Sequence, residues 1–200
     1  MKSETELGRL RAGEKLTLSQ QLRMIITLSV PAIFSQISSI IMQYIDASMV
    51  GRLGADASAS IGLVSSSTWL VNGVCSAVAV GFTVQIAHRI GAGKDREARA
   101  IVRQGLLSVF CFALAMSLAA SAASGHLPVW LGAGENLRGD ASAYFLVFAL
   151  FLPVQQMNYA ASGMLQCSGN MKTPSALNIL MCPLDVVFNF LLIFPTRELT

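Results

Sequence analysis

From about residue 24 onward the chain alternates between long apolar runs and short polar gaps. Five runs reach the ~20 residues that a membrane-spanning helix needs. They cover residues 24–50, 59–87, 104–124, 141–166 and 174–195. None shows the period-2 alternation of barrel strands. The pattern predicts an all-α fold, a polytopic membrane helical bundle of about five transmembrane helices. Composition agrees: 54% of residues are hydrophobic and 12% charged, about half the charge of a soluble domain.

The polar gaps set an expected orientation. Residues 1–23 mix both charge signs and lack the apolar core and cleavage site of a signal peptide, so they read as a cytoplasmic tail with room for a short interfacial helix. Lys2, Arg9, Arg11, Lys15 and Arg23 lie in this tail. Arg89, Lys94, Arg96, Arg99 and Arg103 lie between spans two and three, and Lys172 between spans four and five. Only Arg52, Arg138 and Arg197 fall on the other side. Basic loops stay inside, so the N-terminus is expected in the cytoplasm and the end of span five outside. The net charge of +3 is too small to suggest nucleic acid.

Asp46 and Asp185 are the only acidic residues within the predicted spans. A carboxylate at membrane depth costs roughly 2.5–3.5 kcal/mol on insertion scales, so it usually faces protein or a wet cavity. Asp46 lies near the end of span one, where contact with headgroups is the plainer alternative. Asp185 lies about eleven residues into span five, roughly 16 Å deep, near the middle of a ~30 Å core. Asn189 follows at i+4 on the same helix face, and Pro183 frees a carbonyl nearby. Carboxylate, amide and carbonyl oxygens suit a small cation such as sodium, and a carboxylate also suits a proton. The alternative is that Asp185 and Asn189 only hydrogen-bond across helices. Counting depth sets Asp46 nearer the level of Asn189 than of Asp185, so a shared cavity is a hypothesis.

Gln36, Gln43, Asn72, Gln155, Gln156, Asn158 and Asn178 add neutral polar groups to the spans. Of these, Gln36, Gln43, Asn158 and Asn178 are candidates to line a hydrated cavity. Pro31 and Pro183 are candidate helix kinks, and Pro153 carries the same signal. Cys75, Cys111, Cys167 and Cys182 fit neither a zinc pattern nor a disulfide framework. His88 and His126 are expected in loops. The sequence holds no nucleotide-binding loop and no Ser–His–Asp arrangement, which argues against an enzyme, and no cofactor is expected beyond a coupling ion.

Four segments, in order, resemble the N-terminal half of the multidrug and toxic compound extrusion (MATE) transporters. The first pairs the Ser-Val-Pro of residues 29–31 with IDASMVGRLG at 45–54. The others are QIAHRIGAGKDREA at 85–98, GMLQCSGNMKTP at 163–174, and the stretch 185–194. The resemblance implies transporters built as two six-helix lobes around a central cavity. They export cationic or amphipathic compounds in exchange for sodium ions or protons by alternating access. It places Asp46, Asp185 and Asn189 in an N-lobe cation or proton site. It also implies a multi-pass protein of the cell membrane whose partners are the bilayer, its small-molecule substrates and a C-terminal lobe.

That lobe and the sixth span have no counterpart in these 200 residues, so the chain is expected to be a partial N-lobe, most simply a fragment. A flippase for lipid-linked sugars is the alternative within the wider superfamily, and it would be expected to line its cavity with Arg or Lys. A non-transporting membrane subunit or truncated remnant is the alternative outside it.

Overall fold

A computed structural model describes residues 17–52 and 54–193. The tail residues Lys2, Arg9, Arg11 and Lys15, and Pro195 and Arg197 near the other end, lie outside them. The helices in chain order are α1 (Leu18–Gly51), α2 (Ala55–Gly91), α3 (Asp95–Ala123), the single turn α4 (Leu127–Trp130), α5 (Glu135–Cys167) and α6 (Lys172–Ile193). No strand occurs among the described residues. All but α4 are long and apolar enough to cross a membrane, so the fold is an all-α polytopic bundle.

The helices outrun the apolar stretches that foretold them. α2 has 37 residues, roughly 56 Å at 1.5 Å each, against a hydrocarbon core of ~30 Å. Hydropathy marks only the membrane portion, whereas capping chemistry sets the ends. α1 begins six residues before its apolar run, inside the expected tail. Its first turn is held by Thr17 N donating to Gln20 Oε1 at 3.0 Å. α2 carries on past its apolar run until Gly93, which adopts φ 72°. There Gly93 N donates to Ile90 O at 3.1 Å and Lys94 N to Arg89 O at 2.9 Å, closing the helix with a left-handed glycine. His88 therefore sits in the last turn of α2, not in a loop. α3 then starts at Asp95, with Asp95 and Glu97 in its first turn where the helix dipole favours acids. Glu97 holds the turn by accepting from Arg89 at 2.7 Å and Lys94 at 3.2 Å.

Packing divides the helices into two groups. α2, α3 and α5 pack on one another along their lengths, while α1 and α6 pack together and touch the first group sparingly. In the three-helix core the buried positions recur every eleven residues. Val64, Cys75 and Ile86 do so on α2, Ala98, Val109 and Ala120 on α3, and Ala149 and Ala160 on α5. Eleven residues make three turns, so one narrow stripe stays buried along each helix. The stripes are rich in Ala, Ser, Gly and Cys. Lipid tails are as apolar as leucine, so helix contact in a membrane relies on close packing of small side chains.

One apolar cluster joins Val64, Ala120, Ala141, Phe145 and Ala149, and a second joins Ala79, Ile86, Val109, Ala160 and Met164. Between their levels Gln156, fully buried, donates its Nε2 to Asn72 Oδ1 at 2.6 Å. Asn72 and Gln156, two of the neutral polar groups within the spans, thus form a bridge inside the core.

Gly105 marks the closest approach in this core. A Cβ there would stand 3.0 Å from Phe82 Cγ and 3.1 Å from Met164 Cε. Gly105→Ala is expected to overpack the junction and destabilise the fold by about 1–3 kcal/mol. Gly62→Ala, where no atom lies within 4 Å, should be neutral or slightly stabilising. Thermal unfolding in detergent compares the two, and equal midpoints would contradict the packing described.

Candidate functional site

The site grows out of the α1/α6 pair. On α1 the less exposed positions Ser35, Ser39, Met42 and Asp46 form a seam, and on α6 Asn178, Cys182, Asp185 and Asn189 form its counterpart. Both series step by four, three or four residues and cover eleven in all. Two polar bridges close the seam. Asn178 Nδ2 donates to Ser35 Oγ at 3.0 Å, and Asn189 Nδ2 donates to Asp46 Oδ1 at 2.8 Å. Each bridge joins residues 143 apart in sequence, so the two helices run parallel and in register. That is the geometry required of first and fifth spans, since successive spans alternate in direction.

The offset also settles the depth difference that counting left open. It sets Lys172 level with Ser29, so residues 18–28 of α1 project roughly 16 Å beyond the start of α6. Asp46 lies level with Asn189, one turn beyond Asp185. Asn189 spans that turn by donating from the same Nδ2 to Asp185 Oδ2 at 3.1 Å. The structure therefore brings Asp46, Asp185 and Asn189 into one cluster, half-buried between two helices. Two carboxyl groups share one neutral donor, and no cationic side chain pairs with either among the described residues.

The oxygens of Asp46 and Asp185 make a hard donor set of the kind that takes small cations. As placed, the Asn189 amide turns its NH2 toward both carboxylates, so its own oxygen points elsewhere. Rotating the amide would exchange two donors for one more oxygen ligand. A cleft of about 460 Å3 flanks the cluster, with Ile45, Val186 and Phe190 on its wall and Tyr44 and Arg52 nearby. This cleft had no distinct signal in the sequence.

The other sequence candidates fall elsewhere. Gln36 and Gln43 share a face of α1 roughly 70–90° round from the seam, and both are exposed. Asn158 is exposed on α5. None of these three makes a side-chain hydrogen bond among the described residues. Asn178 does reach the seam, but as the partner of Ser35. Pro31 lies half-buried on the seam and Pro183 is exposed; α1 and α6 continue through both. Pro183 leaves the Ile179 carbonyl without its helical N–H partner. Ser35 was not singled out by the sequence. The signal that could have found it is the eleven-residue spacing of Ser35 to Asp46, matched by Asn178 to Asn189.

The architecture defines a class, the polytopic helical membrane proteins, here with two carboxylates brought together within the spans. The MatE family profile matches residues 31–191, and the chain belongs to the MatE family. Relatives share the name "Probable multidrug resistance protein NorM". The one from Synechococcus sp. is 30% identical over 65% of this chain and 28% of its own length. Those from Oceanobacillus iheyensis and Thermotoga maritima are 20% and 25% identical over 89% and 85% of this chain. The matches cover 40% and 37% of those two proteins, so the chain spans well under half the length of its curated relatives. No solved structure matches the chain.

Register gives the site its first test. In a background with the four native cysteines replaced, Ser35→Cys with Asn178→Cys and Asp46→Cys with Asn189→Cys are expected to cross-link under mild oxidation. The crossed pair, Ser35→Cys with Asn189→Cys, lies eleven residues out of register, roughly 16 Å, and should not. Gel mobility with and without protease cleavage between the helices reads the result.

Proposed function

We propose that this chain forms the N-terminal lobe of a multidrug efflux antiporter. In this reading Asp46, Asp185 and Asn189 bind the coupling ion, sodium or a proton, whose downhill movement drives export of cationic or amphipathic compounds. The N-terminus is cytoplasmic, the lobe sits in the cell membrane, and a second lobe completes the cavity. Membership of the MatE family and the names of the relatives support the transport reading.

The observation that carries the coupling role is energetic. Inserting two carboxylates costs on the order of 5–7 kcal/mol on insertion scales, and an interhelical hydrogen bond in a membrane returns only about 0.6 kcal/mol. The two bonds from Asn189 therefore do not offset the carboxylates they join. An arrangement that weakens the fold is explained by what it binds. A cation or proton supplies the positive charge that the protein withholds, and its arrival favours turning or releasing the Asn189 amide. Because that amide ties α1 to α6, ion occupancy and the fit between these helices become linked. Alternating access then needs only that the two occupancy states favour different positions of the lobes.

Gradient-driven export by the full-length gene product in proteoliposomes tests this. Asp46→Asn and Asp185→Asn are each expected to abolish export driven by a sodium or proton gradient while drug binding in detergent persists. Asn189→Ala should weaken coupling without abolishing it. Imposing the sodium and pH gradients separately identifies the ion. Export at the wild-type rate in both aspartate variants would refute the coupling role.

A further inference from the structure

Near the α2–α3 turn the three-helix core opens into a groove of about 480 Å3, within the range of small-molecule clefts. Ile90, Val102, Leu106 and Leu165 give it apolar walls, and Asp95 and Arg99 stand at its polar end. Arg96, Arg99 and Arg103 follow at i, i+3 and i+7 along α3, so they share one flank of the helix. At about 100° per residue, Arg99 borders the groove, and Arg103 and Arg96 lie roughly 40° and 60° further round from Arg99, on the flank next to the groove rather than in it. All three are exposed. Arg89 and Lys94 are engaged by Glu97, whereas these three have no ion-pair partner among the described residues. Loop charge asymmetry accounts for basic residues at this end of the bundle. It does not account for a guanidinium group without an ion-pair partner at the mouth of an apolar slot, with two more on the adjoining flank of the same helix.

We infer that this groove binds an anionic phospholipid. One acyl chain lies along Val102 and Leu106, and the phosphate is held by Arg99 with Arg96 and Arg103. Arginine suits phosphate because its planar fork makes paired hydrogen bonds. Arg103 sits one turn deeper than Arg99 and reaches the headgroup level by extending its stem along the helix. Asp95 opposes this, but it stands at the α3 N-terminus, where the helix dipole offsets its charge, and three guanidinium groups outweigh it. Inorganic phosphate has no use for the apolar wall, so the occupant is a lipid. The inference needs only that this end of the bundle meets a membrane surface; it is independent of which ion the carboxylates bind.

The test is native mass spectrometry of the purified chain released from nanodiscs of phosphatidylcholine with or without phosphatidylglycerol. The wild type is expected to retain phosphatidylglycerol in preference to phosphatidylcholine. Arg96→Gln, Arg99→Gln and Arg103→Gln together should lose that preference, roughly fivefold per arginine. Arg52→Gln, an exposed change at the opposite end, should retain it. Ala161→Trp places a bulky ring on the exposed α5 side of the groove and should lower retention with all three arginines intact. Melting midpoints in phosphatidylcholine alone establish that each variant is folded, and Ala161→Leu substitutes if the tryptophan variant is not. Equal retention by the triple-arginine variant and the wild type overturns the inference. So does displacement of the lipid by inorganic phosphate, or full retention after the groove is filled.

Discussion

A single amide group, that of Asn189, holds together what electrostatics would push apart. Two carboxyl groups on separate helices meet within the spans, and among the described residues the donor they share is neutral. Around this contact α1 and α6 must run parallel, lie in register and present matching polar seams. The second bridge, Ser35 to Asn178, repeats the contact three turns away without charge. It fixes the relative rotation of the helices, so the carboxylate end can change its chemistry without losing alignment. The pair leans only lightly on the other helices, so its alignment rests chiefly on its own seam.

The three-helix core answers a different requirement. α2, α3 and α5 gain little from excluding lipid, so they approach closely through alanine, serine, cysteine and glycine. Gly105 lies in contact with Phe82 and Met164 because nothing larger fits. The buried Asn72–Gln156 bridge adds specificity at mid-height, since sliding either helix by one turn would strand an amide in hydrocarbon. This core is closely packed, and the α1/α6 pair is joined to it by far fewer contacts.

Much of this was readable from residues alone, and the limits have physical causes. Membrane helices declare themselves because lipid permits few alternatives, so the five spans were visible as apolar runs. Asp46 and Asp185 stood out because charge at depth is rare. Helix ends were misjudged because helices do not stop at the membrane surface; caps such as Gly93 stop them, and His88 fell inside α2 for that reason. Which helix neighbours which was hidden, because periodicity describes one helix at a time. Gln36, Gln43 and Asn158 were legible as polar groups within spans, but their places on exposed helix faces away from the α1/α6 seam were not. Ser35 went unnoticed because a lone serine carries no signal until its eleven-residue distance from Asp46 is set beside that of Asn178 from Asn189.

The 143 residues that separate Asp46 from Asn189 impose an order on biogenesis. A ribosome adding 5–20 residues per second takes roughly 7–29 s to make that stretch. During that interval α1 is already in or near the membrane with its carboxylate unmatched, while α2, α3 and α5 emerge and find one another. The three-helix core can therefore form before the carboxylate-bearing pair can close, and α1 waits beside it for α6. A helix that must wait in this way depends on whatever the insertion machinery offers a lone carboxylate in the meantime.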